Sequence, residues 1–312
     1  MNLLPIHVQE ISELITGRVL TDAALSRFTS FRIGGPADLL VEPNGVEELA
    51  ALLRYVHTMR LPNIVLGAGT NVLFRDSGFR GVVIRTAGIG GFSVQQNSSD
   101  TARLTAAAGV PLPSVVSRAA RQGWKGLEAL WGIPGTFGGA IATNAGAGGT
   151  SLGDVLSEVT VMNVLGERIV IQKENLRFGY RWMSLPQATT VIEGVLQLPR
   201  GDKKAIEADL ERASVWRRSS QPLDRPSSGC IFKNPAPDNP AGAIIDRLGL
   251  KGTTVGDAQV SEVHANFIIN CGKATAADVL ALIDLVRERV RAEEGTDLEL
   301  EICVIKEQPP DV

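Results

Sequence analysis

The chain has 312 residues, with 31 basic and 34 acidic side chains and a formal charge of −3. Hydrophobic residues make up 44% and charged residues 21%, a composition that is typical of a packed soluble protein and excludes wholesale disorder. The near-neutral charge argues against a nucleic acid or a membrane surface as partner, since either would require a basic stripe. A chain of this length usually holds two domains.

The first 200 residues alternate between strand and helix patterns. The apolar run at 37–41 predicts a short buried strand, and the segment after Pro43 predicts an amphipathic helix over 46–60. A second apolar run at 64–66 predicts a strand that stops at Gly67. This order of strand, helix and strand indicates an α/β lobe. Further strands are predicted at 81–85, 103–108, 157–164 and 189–198, with a helix at 112–122.

The pattern changes near residue 202, where a charged helix begins that is followed by a loop rich in Pro and Ser. Thr275 and Asp278 predict the capping box of a long helix that Gly295 ends. The last segment predicts a half-buried strand, in which Leu298, Leu300, Ile302 and Val304 alternate with Glu299, Glu301, Cys303 and Ile305. Between these elements, the sequence predicts a helix at 241–248 and a strand at 263–270.

We therefore predict a domain boundary at about residue 200. The first region, residues 1–200, would contain two lobes of roughly 20–80 and 81–200. Residues 201–303 would form a smaller second domain, and residues 304–312 a C-terminal tail.

The cysteines and histidines predict neither disulfides nor a metal site. Cys230, Cys271 and Cys303 are widely spaced and odd in number, which favours a reducing compartment. The three histidines have no cysteine or carboxylate partner at the spacing of metal ligands. The N-terminus lacks the basic start and apolar core of a signal peptide, and no apolar run reaches the ~18 residues of a membrane span. We expect a cytoplasmic protein without membrane insertion.

Two glycine-rich loops are the clearest candidates for ligand binding. Gly67–Asn71 directly follows a predicted strand, and Gly132–Gly146 is a longer loop. Glycines let the backbone approach a ligand closely, and successive N–H groups can point at one anion. Neither loop contains a basic residue, so a phosphate there would be held by amides and by Thr or Asn side chains.

The familiar nucleotide-binding motifs are absent from both loops. Val72 stands where a dinucleotide-binding GxGxxG motif needs its third glycine, and the chain has no Gly-Lys-Ser/Thr for a P-loop. A Rossmann fold and a P-loop NTPase are thereby disfavoured. On the residues alone, ligand loops and simple tight turns both stay open.

Several isolated polar residues could have either a structural or a functional role. Arg181 lies between aromatic residues, where a solvent-exposed arginine is common. Cys230 is ordinarily a small core residue, although in an extended segment it would share a face with Phe232 and Asn234, as in a polar pocket. Solvent exposure explains the acidic residues of the last strand. A structural role is the ordinary explanation for His264, which alternates with Asn266 along its strand.

Seven segments, in order along nearly the whole chain, resemble the UDP-N-acetylenolpyruvoylglucosamine reductase (MurB) family, flavoenzymes of bacterial cell-wall synthesis. Each segment alone is weak evidence, whereas the set in family order is highly specific. The segments are TSFRIGGPADLLVEP (29–43), VLGAGTNVLF (65–74), GIPGTFGGAIATNAGA (132–147), FGYR (178–181), SSGCIFKNP (227–235), VHANFIIN (263–270) and LELEI (298–302).

The resemblance implies an α+β fold, with a two-lobed FAD-binding region of the vanillyl-alcohol-oxidase (PCMH) type and a smaller α+β substrate-binding domain. It implies non-covalent FAD whose pyrophosphate lies against the two glycine-rich loops, and NADPH as the reductant in the substrate cleft. The FAD-binding residues carried over are Gly67, Ala68, Gly69, Thr70, Asn71, Gly132, Ile133, Gly135, Thr136, Gly138, Gly139, Ala142, Asn144 and Arg181.

The implied reaction reduces the enolpyruvyl ether of UDP-N-acetylglucosamine to UDP-N-acetylmuramate, a peptidoglycan precursor needed for cell shape and division. Arg181 matches the family's active-site arginine and Glu301 its catalytic glutamate. Cys230 stands where the proton donor is commonly serine, and a thiol of pKa about 8.5 is a competent acid. The substrate contacts carried over are Arg218, Gln221, Lys233, Asn234 and Asn266. The short interval from Arg181 to Cys230 is similar to the subgroup that lacks a substrate-covering loop with a tyrosine.

Two other functions are compatible with the same scaffold. An alcohol or sugar oxidase would often carry a covalent flavin on His or Cys, and neither glycine-rich loop contains such a residue. A catalytically inactive flavin-binding regulator would not need Arg181, Cys230 and Glu301. The sequence does not set the number of subunits and is compatible with a monomer.

Overall fold

The computed structural model describes residues 3–306, which form two compact units. The first unit comprises residues up to 21 together with 39–68 and 81–216, and the second comprises 22–38, 69–80 and the residues from 217 onward. This division differs from the predicted boundary near 200, because two early segments join the C-terminal part of the chain. No described helix combines the length and apolar character needed to cross a membrane.

Eight helices are described. They are α1 (Pro5–Leu14), α2 (Val46–Thr58), α3 (Leu112–Arg121), α4 (Phe137–Ala142), α5 (Leu152–Val155), α6 (Lys203–Ser220), α7 (Ala241–Arg247) and α8 (Ala276–Glu294). Helix α4 lies inside the segment that the sequence presented as a glycine-rich loop, and α1 lies where no element was predicted.

Nineteen strands are described, several of only two residues. They are β1 (Arg18–Ala24), β2 (Pro36–Glu42), β3 (Asn63–Leu66), β4 (Val72–Phe74), β5 (Phe79–Arg85), β6 (Phe92–Gln96), β7 (Thr101–Ala107), β8 (Gly146–Ala147), β9 (Thr150–Ser151), β10 (Leu156–Asn163), β11 (Arg168–Gln172), β12 (Phe178–Gly179), β13 (Trp182–Met183), β14 (Thr189–Pro199), β15 (Ser227–Cys230), β16 (Thr254–Val255), β17 (Ala258–Val260), β18 (Phe267–Asn270) and β19 (Cys303–Ile305).

The first unit contains an antiparallel five-stranded sheet in the order β11-β10-β14-β7-β6. A four-stranded sheet has the order β1-β2-β5-β3, in which β3 and β5 run parallel; most of its residues also belong to this unit. Buried apolar residues of β7, β10 and β14 belong to one core with the buried faces of α2 and α3. At ~25 cal/mol per Å² of buried apolar surface, this core is the main stabilising term of the unit.

The second unit contains an antiparallel sheet in the order β15-β18-β17-β16. Helices α7 and α8 contribute buried apolar residues to the same core as this sheet. Strand β4 pairs in parallel with β19, with Val72 opposite Cys303. Pairing across so long a stretch of sequence explains why residues 69–80 belong to this unit.

The closing strand is shorter than predicted. Leu298 and Ile302 are buried as expected, but Ile305, which the alternation placed outward, is only 7% exposed. The regular strand covers only Cys303–Ile305, preceded by an isolated bridge from Leu300 to Phe232. Residues 304 and 305 therefore belong to a strand and not to the predicted tail; residues 307–312 lie outside the described part.

The capping box of α8 is confirmed. The Thr275 hydroxyl accepts a hydrogen bond from the Asp278 N–H at 3.1 Å, and the Asp278 carboxylate accepts one from the Thr275 N–H at 2.9 Å. Hydrogen bonds from the backbone N–H and then the hydroxyl of Thr275 lower the pKa of the Asp278 carboxyl. Gly295 ends the helix in the left-handed conformation, with φ of 63°.

Thr275→Ala is expected to lower the free energy of unfolding by about 1 kcal/mol, because one amide of α8 loses its acceptor. Urea unfolding followed by circular dichroism measures this change. Thr275→Ser keeps the hydroxyl and serves as the control. Equal destabilisation by both substitutions would contradict the assigned cap.

Candidate functional site

The two glycine-rich loops lie against each other in the first unit. A Cβ on Gly67 would sit 2.6 Å from Thr136 Oγ1, a separation that side chains do not adopt. Thr136 itself is 7% exposed, and its hydroxyl accepts a hydrogen bond from the Gly139 N–H at the start of α4. The missing side chain at Gly67 therefore permits the close approach of the loops.

The backbone of the second loop is fixed at α4. The Phe137 N–H donates to the Val110 carbonyl at 2.8 Å, and the Gly138 N–H donates to the Ala108 carbonyl at 2.9 Å. A Cβ on Gly138 would lie 2.6 Å from Ala108 Cβ, so this glycine serves packing. The amides of Gly138 and Gly139 are thus bonded within the protein. The predicted contacts Ile133 and Ala142 flank this part, half-buried and exposed respectively.

Four other amides of the two loops can receive a ligand. Within residues 3–306, no protein group accepts a hydrogen bond from the N–H groups of Gly67, Ala68, Gly135 or Thr136. Buried or half-buried amides normally have an acceptor. Uncharged donors gathered beside a glycine suit an anionic group such as a pyrophosphate. The residues present therefore fit the phosphate portion of a dinucleotide.

Asn144 joins the second loop to its surroundings. Its side-chain N–H₂ donates to the Gly179 carbonyl at 2.9 Å, and its side-chain oxygen accepts from the Gly153 N–H at 2.9 Å. The residue is 3% exposed and has a φ of 43°. Both ends of its carboxamide are bonded within the protein, which gives Asn144 a structural role, and its predicted contact with the cofactor stays a prediction.

Arg181 occupies the turn between β12 and β13. Its φ is 63°, a conformation that is costly for a residue with a Cβ and that tends to occur at functional sites. Its guanidinium donates to the Gly146 carbonyl at 3.2 Å and lies 5.5 Å from the ring centroid of Tyr180. The structure thereby places Arg181 at the end of the second glycine-rich loop, within the first unit.

In the second unit, Asn71 contacts the segment that carries Glu301. The Asn71 side chain donates to the Glu301 carbonyl at 3.1 Å, and the Asn71 carbonyl accepts from the Cys303 N–H at 2.9 Å. The Glu301 N–H donates to the Ile231 carbonyl at 2.8 Å. Glu301 is therefore held on a backbone segment adjacent to the residue that follows Cys230.

Cys230 ends β15 and is half-buried. The preceding Gly229 has a φ of 78°, which interrupts the pairing with β18 between Ser227 and Cys230. Ser228 is 1% exposed. Of the two side chains, the Cys230 thiol is thus the more accessible to a ligand.

Asn266 supports this strand. Its side chain accepts from the Phe232 N–H at 2.9 Å and donates to the Phe232 carbonyl at 2.8 Å, while its carbonyl accepts from the Ile231 N–H. The residue is 2% exposed. With both ends of its carboxamide bonded to Phe232, Asn266 has a structural role, and its predicted contact with the substrate stays a prediction. The shared face predicted for Cys230, Phe232 and Asn234 is not uniform in burial, because Phe232 is 2% exposed, Cys230 is half-buried and Asn234 is exposed.

The other predicted substrate contacts lie near the start of the C-terminal segment. Lys233 pairs with Glu299 at 3.1 Å, and both side chains are largely exposed. The Asn234 side chain accepts from the Ala241 N–H at 3.1 Å, at the start of α7. The Gln221 side-chain oxygen accepts from Arg217 at 3.1 Å.

Arg217 was not selected from the sequence, although it is 8% exposed whereas Arg218 is exposed. The i, i+4 spacing of Arg217 and Gln221 was the available signal for their contact. The sequence gives no pattern of buried positions at the end of α6, so it does not show which of Arg217 and Arg218 is buried.

His264 is held neutral near this strand. Its Nδ1 accepts from the Asn266 N–H at 3.1 Å, and its ring lies 4.9 Å from that of Phe267. Burial, and to a lesser extent the positive charge of Lys251, lowers the pKa of His264. The unfolded state, with an ordinary pKa of about 6.5, binds a proton more readily. Acidification through that value therefore favours unfolding.

The free energy of unfolding is expected to fall as the pH decreases below about 6.5, in part because of His264. His264→Asn supplies an uncharged oxygen acceptor and should flatten this pH dependence. Urea unfolding at about pH 5 and 7.5 measures it. His57→Asn, at an exposed histidine, is the matched control. Equal pH dependence in the His264 variant and the parent protein would contradict the assignment.

Two family models match this chain, one in its N-terminal part and one in its C-terminal part. The model of the C-terminal domain of UDP-N-acetylenolpyruvoylglucosamine reductase matches residues 221–305, and the model of an FAD binding domain matches residues 37–172. These matches confirm the predicted FAD-binding region followed by a smaller domain.

Relatives match over nearly the full chain. The UDP-N-acetylenolpyruvoylglucosamine reductase of Moorella thermoacetica is 44% identical over 295 residues, which cover 94% of this chain and 96% of the relative. That of Syntrophus aciditrophicus is 40% identical over 299 residues, or 96% of each chain. The crystal structure of the Thermus caldophilus enzyme superposes with a TM-score of 0.78 at 36% identity, covering 93% of this chain and 99% of that one. With two domain models, full-length relatives and a solved structure in agreement, the chain belongs to the UDP-N-acetylenolpyruvoylglucosamine reductase family.

Proposed function

We propose that this protein is an FAD-dependent reductase that converts UDP-N-acetylglucosamine enolpyruvate to UDP-N-acetylmuramate with NADPH, in peptidoglycan precursor synthesis. The observation that carries the proposal is the identity of 40–44% to reductases of this name over at least 94% of the chain. Family membership also favours reduction of this substrate over the alcohol or sugar oxidase considered from the sequence. A UDP-linked substrate and NADPH support a cytoplasmic location.

The first unit supplies donors for the pyrophosphate of FAD. The amides of Gly67, Ala68, Gly135 and Thr136 would hold it, since their N–H groups have no acceptor within residues 3–306. When bound, FAD carries hydride from NADPH to the vinyl group of the substrate. The protein must then stabilise negative charge beside the substrate carboxylate and supply one proton.

Arg181 would bind the substrate carboxylate through its guanidinium, whose paired N–H groups match a carboxylate. Its backbone conformation fixes where the side chain starts, and its bond to the Gly146 carbonyl holds the guanidinium at the other end. A fixed donor group costs little reorganisation when charge develops, which is the basis of electrostatic stabilisation.

Cys230 would donate the proton to the carbon next to the carboxylate. A thiol of ordinary pKa about 8.5 is mostly protonated at neutral pH and is a stronger acid than a serine hydroxyl. The bonds of Asn266 to the backbone at 231 and 232 hold the end of β15 in place. Glu301, on the adjacent segment, would assist the same step.

Lys233 and Arg218 would contact the diphosphate of the substrate, with Asn234 beside them. The ion pair of Lys233 with Glu299 is solvent-exposed, and such pairs contribute only ~0–1 kcal/mol. A diphosphate can therefore displace Glu299 at little cost.

The proposed function predicts the colour changes of the purified protein. The protein should be yellow, bleach with NADPH and regain its colour when the enolpyruvyl nucleotide is added. Absorbance near the flavin bands measures each step. A colourless protein that FAD cannot reconstitute would overturn the proposal, as would a bleached protein that responds to oxygen and not to the nucleotide.

Cys230→Ala is expected to lower the rate of substrate reduction by about 10²–10⁴-fold, the usual contribution of a positioned acid. Reduction of the flavin by NADPH should stay close to normal, since that step needs no proton from Cys230. Stopped-flow absorbance separates the two half-reactions. Cys230→Ser should retain activity, and Cys271→Ala, at an exposed cysteine, is the control. A normal second half-reaction in Cys230→Ala would exclude Cys230 as the acid.

Gly67→Ala is expected to weaken FAD binding, because its Cβ would lie 2.6 Å from Thr136 Oγ1. Overpacking of this kind costs ~1–3 kcal/mol, which corresponds to about 5- to 150-fold in affinity if binding bears the whole cost. Titration of apoprotein with FAD, followed by fluorescence quenching, measures it. The control is Gly90→Ala, since a Cβ there meets nothing within 4 Å. Equal affinities in the two variants would contradict the role of Gly67.

A further inference from the structure

We propose that Ser30 and Asn71 are positioning residues, which hold the segments of Cys230 and Glu301 on the second half of the first glycine-rich loop. The inference rests on the proposed function and extends it to two residues that act through their bonds to the backbone of these segments. Every contact that carries it lies within the second unit.

Ser30 joins the loop to β15. Its hydroxyl donates to the Ser227 carbonyl at 2.7 Å, and its N–H donates to the Gly69 carbonyl at 3.0 Å. Ser227 is the first residue of the strand that ends at Cys230. Ser30 thus connects Ser227, which is 197 positions away along the chain, with Gly69, which is 39 positions away.

Gly69 fits the loop closely onto this part of the backbone. Its φ is 67°, and a Cβ there would lie 2.2 Å from the Phe28 carbonyl oxygen and 3.0 Å from Thr29 Cα. Contacts with backbone cannot be relieved by turning a side chain. The loop can therefore pack on residues 28–30 in only one position. The bond of Ser30 to Ser227 fixes β15 relative to that position.

Asn71 joins the same loop to the segment of Glu301. Its side chain donates to the Glu301 carbonyl at 3.1 Å, and its own carbonyl accepts from the Cys303 N–H at 2.9 Å. Glu301 is thus bracketed by two bonds to Asn71, one at the residue itself and one two residues later. Its N–H bond to the Ile231 carbonyl completes the connection to the strand of Cys230.

The three segments form a closed ring of hydrogen bonds, from Gly69 through Ser30 to β15, across to Glu301 and back through Asn71. A shift of any one segment breaks at least one bond of the ring. Proton transfer requires donor and acceptor within about 2.6–3.2 Å, and misplacement by ~1 Å can cost about 10²-fold. Loss of Ser30 or Asn71 should therefore affect the protonation step more than binding or flavin reduction.

The test compares Ser30→Ala with Ser30→Thr and Asn71→Ala with Asn71→Asp in the FAD-loaded protein. Ser30→Thr keeps the hydroxyl and should restore most of the activity. Asn71→Asp keeps the shape but removes the N–H₂ donor, so it should resemble Asn71→Ala. We expect the alanine variants to lose about 10- to 100-fold in kcat for substrate reduction, with KM and the NADPH half-reaction close to normal.

Matched controls remove equivalent bonds elsewhere. Ser157→Ala loses a hydroxyl that donates to the Val195 carbonyl at 3.1 Å, and Asn63→Ala loses an amide that donates to the Leu61 carbonyl at 3.0 Å. Both lie in the first unit and should leave kcat unchanged. Thermal unfolding of every variant reports stability separately from rate.

Two results would overturn the inference while leaving the proposed function intact. One is unchanged kcat in Ser30→Ala and Asn71→Ala. The other is an equal fall in both half-reactions in proportion to lost stability, without rescue by Ser30→Thr. If the unaltered protein binds FAD but fails to reduce the enolpyruvyl nucleotide, the proposed function itself is wrong, and the inference is overturned with it.

Discussion

The absence of a side chain at Gly67 is the constraint on which the first unit's candidate site depends. Two loops from distant parts of the sequence approach so closely that a Cβ on Gly67 would lie only 2.6 Å from Thr136 Oγ1. Thr136, which fills the space, also begins α4 through its bond to Gly139. A single glycine therefore links the packing of the loops to the start of a helix, and leaves neighbouring amides available for an anion.

The hydrogen-bond donors of the two glycine-rich loops are uncharged. A pyrophosphate can be bound by lysine and arginine or by backbone amides, and the loops contain only the second kind of donor. Amides fixed in the fold do not reorganise on binding and carry no net charge. The charged groups that we propose for the substrate lie elsewhere in the sequence, with Arg181 in a strained turn and Lys233 in an exposed ion pair.

Local features were predictable from the sequence, whereas long-range contacts were not. Thr275, Asp278 and Gly295 are read from neighbours within one helix, and the structure confirms all three. The resemblance identified the family because its motifs retain their order. The bonds of Ser30 to Ser227 and of Asn71 to Glu301 span 197 and 230 positions, and no local pattern predicts such pairing. Asn144 and Asn266 occupy motifs, but only coordinates reveal that the protein itself uses both ends of their carboxamides.

The parallel pairing of β4 with β19 has a consequence for how the chain matures on the ribosome. Residues 72–74 are made about 230 residues before their partners at 303–305. Until those partners are made, the early strand has an open edge, and the second unit lacks residues 303–305. Contacts of such high sequence separation fold slowly, and unpaired edges favour aggregation. The second unit of the nascent protein thus stays incomplete until residues 303–305 are available to pair with β4.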